Sequence, residues 1–184
     1  MGAKGAETRQ RMIEATRASI ERRGYFGTGL NQILADSNTP RGSLYFHFPG
    51  GKDELVAAAI TQTSGVIDTA IAEADLTDPA TAVTGLLTLL GDRLEASGWQ
   101  CGCPVATVAL EVSGTNDTVG RACAEVYERW TEALRISLHA TGHRNAQDLA
   151  VSLLALIEGA LLLAQTHRTR EPLERAARVA QTLL

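Results

Sequence analysis

The stretch from Thr28 to Leu55 constrains this chain more than any other. It reads as two short helices joined by a tight turn, then a break, then a longer helix. Leu30, Ile33 and Leu34 give the first short helix (Leu30 to Ser37) an apolar side. Asn38 suits the turn, because asparagine tolerates left-handed backbone. Pro40 suits the first turn of the next helix, where its missing donor goes unneeded. Leu44 and Phe48 lie four apart, share one face and are expected in the core. Pro49-Gly50-Gly51 then breaks the chain. This is the layout of a helix-turn-helix, with Pro40 to Phe48 as the helix that enters a DNA major groove.

On that reading, Arg41 at the start of the helix could reach the acceptors of guanine. Ser43 could meet a base or a phosphate, and Gly42 lets backbone approach backbone, either that of DNA or that of the preceding helix. Tyr45 and His47 could bond phosphates through their polar tips while their rings pack. Thr28 either caps the first short helix or touches a phosphate, and Lys52 stands where a phosphate would pass. Taken singly, each residue has a plainer reading. Arg41 could be a stray surface charge, Tyr45 half-buried packing and His47 a satisfied surface histidine. Their spacing inside this turn favours DNA contact.

The net charge of −4 argues against a nucleic-acid partner until it is resolved along the chain. Residues 1–52 hold eight basic side chains against four acidic ones, while the rest holds nine against seventeen. A basic first third on an acidic body is an asymmetry with direction. Aromatics make up only 4% of 184 residues, so the core must be Leu, Ala, Val and Ile, which with few β-branched runs favours helix throughout. The expected fold is all-α. A first helix runs from about Ala6 to Arg23 and ends at Gly24. A fourth runs from about Lys52 to Glu73 with Leu55, Val56, Ala59, Ile60 and Val66 on one side. Further helices open near Asp78-Pro79, Pro104, Asn116 or Asp117, Asn145 and Pro172. The helix after Asn145 is expected to turn Leu149, Leu153, Leu154, Ile157, Leu161 and Leu162 inward. The apolar run Leu149 to Ala164 contains Ser152 and Glu158 and reads as too short and too polar for a bilayer span.

The segment TPRGSLYFHFPGGKDEL resembles the signature of TetR-type transcriptional repressors. Gly42, Ser43, Leu44, Tyr45, His47, Phe48, Lys52 and Leu55 match the pattern, and Gly24-Tyr25 and Thr28 fit the connection before it. Asn38 stands where Gly is common, Pro40 where Ser is common, and one extra residue separates Phe48 from Lys52. The Pro-Gly-Gly turn and the later Cys101-Gly102-Cys103-Pro104-Val105-Ala106 resemble the LmrA/YxaF-like branch. The resemblance implies a helix-turn-helix DNA-binding domain over residues 1–51 and a C-terminal helical bundle for ligand binding and dimerisation over 52–184, the fourth helix belonging partly to both. It further implies a cytoplasmic homodimer paired through its last two helices. Such a dimer binds double-stranded operator DNA at half-sites about 34–36 Å apart, or a multiple. A small-molecule effector releases it by favouring a wrongly spaced form.

The body offers a candidate ligand pocket in Trp99, Tyr127 and Trp130 with Leu86, Leu90, Val105, Val108 and Leu161, although residue by residue plain packing is the simpler reading. Few charges lie among them, so an apolar or aromatic effector with some polar atoms is expected. Glu158 could meet a cationic ligand, pair with an arginine at the dimer seam or face water. Cys101, Cys103 and Cys123 read as structural thiols in a reducing compartment rather than as a metal or redox centre, since zinc would want about four ligands. Gly24, Gly27 and Gly29 do not form a dinucleotide fingerprint, for no strand precedes them. No nucleophile and base fall at a readable spacing, so no enzyme activity and no cofactor are expected. The alternatives are a DNA-binding regulator without a small-molecule ligand, or a thiol-dependent enzyme using Cys101 or Cys103.

Overall fold

A computed structural model of the chain describes residues 2–63, 67, 69 and 77–184. Among these residues every regular element is helical: α1 (Ala3–Arg23), α2 (Leu30–Asp36), α3 (Arg41–His47), α4 (Lys52–Thr63), α5 (Pro79–Ala96), α6 (Pro104–Val112), α7 (Asp117–Ala140), α8 (Ala146–His167) and α9 (Glu171–Leu183). Of the remainder of the expected fourth helix, residues 64–66, 68 and 70–73, Val66 included, lie outside the described residues. The chain divides into two compact units. One gathers Met1–Ser64 and Pro104–Val126, the other Gly65–Cys103 and Tyr127–Leu184.

In the first unit, α1 packs against α2, α4 and α6, and α4 packs against α6. Its core takes Met12, Ile13 and Ile20 from α1, Ile33 from α2, Leu44 from α3, Leu55, Val56, Ala59 and Ile60 from α4, and Val105 and Val108 from α6. The local signals act as the residue types dictate. Asn38 adopts φ 49, closing α2 with the Thr39 N–H donating to the Leu34 carbonyl at 2.9 Å. Pro40 sits one position earlier than expected, as the N-cap of α3 rather than inside its first turn. Gly51, at φ 70, makes the left-handed step between α3 and α4 that a side chain would strain. Asn116 caps α7 by accepting the Val119 N–H at 3.1 Å.

In the second unit, α5 and α8 each pack against α9 and touch one another. Asp78 caps α5, its carboxylate accepting from the Thr81 N–H at 3.0 Å. At Gly91, α5 and α9 come so close that a β-carbon would stand 3.3 Å from Leu173 Cδ1. Beside that crossing, Arg170 pairs with both Asp92 and Glu95 at 2.6 Å.

Helix α8 corrects two expectations. It extends beyond the apolar run on both sides, so by length and composition alone it could cross a membrane. Its Leu153, Ile157 and Leu161 are instead buried within the unit. Leu162, expected inward, is exposed along with Val151 and Leu163. The inward stripe is narrower than the run of leucines suggested.

Candidate nucleic-acid interface

Helix α3 has seven residues, too few to be stable alone. Its position comes from what it buries. Leu44 and Phe48 are fully enclosed, and the guanidinium of Arg9 lies 4.9 Å over the Phe48 ring. Enclosing that side leaves the other to solvent. Arg41, Gly42 and Tyr45 are exposed, and Ser43 and His47 half-exposed. The His47 ring meets Phe46 edge-on at 4.9 Å, and its Nδ1 is buried with no hydrogen-bond partner.

Two of the expected contact residues are placed differently. Thr28 is fully buried, its hydroxyl donating to the Gly24 carbonyl at 2.7 Å and lying 3.0 Å from Ser19 Oγ. It does not cap α2, whose N-cap is Gly29. The hydroxyl is spent on closing the turn after α1. Lys52 turns back onto the same loop. Its Nζ donates to the Tyr25 carbonyl at 2.7 Å and sits 4.0 Å over the Tyr25 ring. Burial pulls the Lys52 ammonium below the usual lysine range, against the pull of Asp53 and Glu111.

The loop they hold, Gly24 to Thr28, is tied at several points. The Glu111 carboxylate at the end of α6 accepts the Tyr25 N–H at 2.5 Å and the Phe26 N–H at 3.4 Å. It packs so closely that a β-carbon on Gly24, already at φ 66, would collide with it. The Tyr25 hydroxyl donates to Asp53 at 2.5 Å. Burial first, then the Asp53 carboxylate, push that phenol up to about 12. Glu111 did not stand out in the sequence, and Tyr25 did so only as part of the connection, because their partners lie 86 and 28 residues away. Beside this loop Arg11, Arg22 and Arg23 line a groove of about 470 Å³ between α1 and the end of α2, with Glu14 and Asp36. The basic surplus of the first third is thus partly a surface feature of α1.

Residues 12–59 match the family model of bacterial regulatory proteins of the tetR family, and residues 79–179 match that of the C-terminal domain of LmrA/YxaF-like transcriptional regulators. The chain belongs to the TetR family. Among its relatives, the HTH-type transcriptional regulator LmrA of Bacillus subtilis is 34% identical over 91% of each chain. YxaF of the same organism is 28% identical over 91% of this chain and 90% of its own. The solved structures share the fold. Reduced Escherichia coli NemR superposes with a TM-score of 0.83 at 22% identity, covering 95% of both chains. A TetR regulator from Chloroflexus aurantiacus gives 0.82 at 26% identity, covering 98% of this chain and 96% of that one. TetR-family chains are transcriptional regulators rather than enzymes. They bind operator DNA and usually act as dimers.

The eight apolar residues expected around a ligand fall in both units of this TetR-family chain. Val105 and Val108 are fully buried on α6 in the first. Leu90, Trp130 and Leu161 are buried, and Leu86, Trp99 and Tyr127 half-buried, in the second. There Tyr127 and Trp130 stack edge-on with centroids 5.8 Å apart. Trp99 is held at φ 66 by its N–H donating to the Leu94 carbonyl. Glu158, half-buried on α8, accepts a hydrogen bond from the Cys103 thiol, and burial lifts its carboxyl above the usual range against that bond. Cys103 and Cys123 are buried and Cys101 is half-exposed; burial pushes the Cys123 thiol to about 11, away from thiolate chemistry. The segment before Cys103 is strapped to α8 as well. Gln165 donates to the Gln100 carbonyl at 3.2 Å, and its amide fills the space a Gly102 side chain would need. Across the outer side of α8 and α9 runs an open groove of about 770 Å³, lined by Ala155, Gly159, Leu163, Pro172, Ala176 and Val179 among others. None of the eight expected ligand residues borders it.

Proposed function

We propose that the chain is a ligand-responsive repressor that works in the cytoplasm as a homodimer, binds a palindromic operator and leaves it when a small apolar or aromatic effector occupies the second unit. The observation that carries the reading is the outer side of α3, where Arg41, Gly42, Ser43, Tyr45 and His47 face solvent on a helix fixed from behind by Leu44 and Phe48. Arg41 supplies a bidentate donor for guanine, and Ser43, Tyr45 and His47 supply donors for phosphate or base edges. Thr28 and Lys52 act at one remove, holding the loop that seats the helix-turn-helix.

The dimer is assigned to α8 and α9. The outer stripe of α8, Val151, Ala155, Gly159 and Leu163, repeats every four residues and is small at its middle, so a second helix can approach closely. Val179 and Leu183 extend the apolar surface onto α9. The effector is assigned to Leu86, Leu90, Trp99, Tyr127, Trp130 and Leu161, with Glu158 and Cys103 as polar contacts. The repressor role is supported by DhaR of Mycobacterium sp., named a transcriptional repressor and 26% identical over 90% of this chain.

The test is a gel-shift series on an operator selected from random duplexes. Arg41→Ala and Tyr45→Ala are expected to weaken binding while fold and dimer persist, Arg41→Ala also relaxing base preference by about 1–3 kcal/mol. Wild-type affinity should fall steeply with salt. Unchanged affinity in both variants would remove the DNA roles assigned here. Trp fluorescence on titration with neutral aromatics such as 1-naphthol, followed alongside DNA release, tests the effector.

A further inference from the structure

Phe46 carries the strongest unexplained feature of the recognition helix. It is 74% exposed, more than the neighbouring Tyr45 at 50%, and has no polar tip to meet water or phosphate. At 100° per residue, Phe46 stands about 200° around α3 from the buried Leu44, and Gly42 about 160°. These two, four residues apart, therefore form the outermost ridge of the helix. Gly42 is equally unexplained from inside the protein. A β-carbon there would meet nothing within 4 Å, so no packing against the chain requires glycine. Glycine is a poorer helix former than alanine, and no contact within the molecule offsets that at Gly42. The Phe46 ring also meets the His47 ring edge-on, with centroids 4.9 Å apart.

A bare patch beside an oriented apolar ring fits a surface that comes from outside and has its own apolar feature. The major groove has one such feature, the C5 methyl of thymine. We propose that Phe46 is a base-reading residue whose ring rests on a thymine methyl, with Gly42 leaving room for the groove edge to come close. The contact occurs once in each half-site. This rests on the DNA-reading role proposed above and adds the base that α3 selects at its centre.

The experiment changes the DNA atom and the protein side chain separately. Operators are selected from a random duplex library with the wild-type chain. Each thymine is then replaced by deoxyuridine, which removes the methyl alone, and binding is measured for wild type and Phe46→Ala. In wild type one thymine per half-site should show a loss of about fourfold per methyl; in Phe46→Ala the same replacement should change nothing. Because Phe46 is exposed, the variant should melt with wild type, and Phe46→Leu should restore part of the methyl dependence. Specific wild-type binding with no sensitive thymine, or with equal sensitivity in Phe46→Ala, overturns this inference and leaves the DNA-reading role standing. Failure of wild type to select any sequence overturns both.

Discussion

Helices α2 and α3 have seven residues each, whereas α8 has twenty-two. The short pair cannot form without tertiary support, and the first unit supplies it with side chains that grip backbone. Glu111 holds the N–H groups of Tyr25 and Phe26, Lys52 the carbonyl of Tyr25, Thr28 that of Gly24, and Arg11 that of Ser37. The long helices of the second unit lie on one another through Leu and Ala, with Arg170 as an exposed cross-tie. Grips on backbone fix a position through particular atoms. Leucine packing tolerates exchange of one apolar side chain for another. Under the proposed function, a helix that meets base edges stands in the first kind of frame, and a body that takes an effector in the second.

The comparison breaks most readily at Phe48. Phe48→Ala should cost about 3–5 kcal/mol, read from urea unfolding, because α3 has no other large anchor besides Leu44. A loss below 1 kcal/mol would mean that α3 is held by something else. Next comes Glu111→Ala, which strips two backbone donors of a charged acceptor and should cost about 1.5–3 kcal/mol. Operator affinity should fall with it, and Glu111→Gln should recover part of both. If affinity fell without loss of stability, the carboxylate would be acting on DNA rather than on the loop.

Smaller effects sharpen the contrast through pH. Burial raises the Glu158 carboxyl, so the fold prefers its neutral form. Its contribution to stability is complete below the ordinary glutamate value of 4.5 and is lost as pH rises through the higher folded value. Glu158→Gln should therefore melt above wild type at neutral pH and converge with it in acid. In the first unit, the phenol of Tyr25 is raised from 10.0 to about 12, so its contribution should be lost as pH climbs through that interval. Tyr25→Phe should lack this alkaline phase in thermal melts of the free protein.

How much of this could be read in advance follows the same division. The helix-turn-helix was legible because each break has a residue-specific cause: Asn38 at positive φ, Pro40 at the N-cap, Gly51 at the left-handed step. Leu44 and Phe48 announced the buried side by their spacing. The inward turn of Thr28 and Lys52 was not legible, because a motif gives positions and not rotations. Their polar atoms turn inward to Gly24 and Tyr25, which only the packed structure brings into reach. Phe46 has no polar tip to mark it in the sequence, although its place opposite Leu44 follows from counting. In the body, periodicity gave the helices but not which leucines face in. Leu162 and Leu163 look like Leu161 in sequence and differ only by 100° steps around α8.

Dimethyl sulfate footprinting on the selected operator tests the central claim most directly, because the reagent marks guanine N7 in the major groove and adenine N3 in the minor groove. With α3 in the major groove twice per dimer, guanine N7 protection should appear in two half-sites about 34–36 Å apart, or a multiple. Arg41→Ala should lose it at one guanine in each. Protection confined to adenine N3, or to one unrepeated site, would contradict the account.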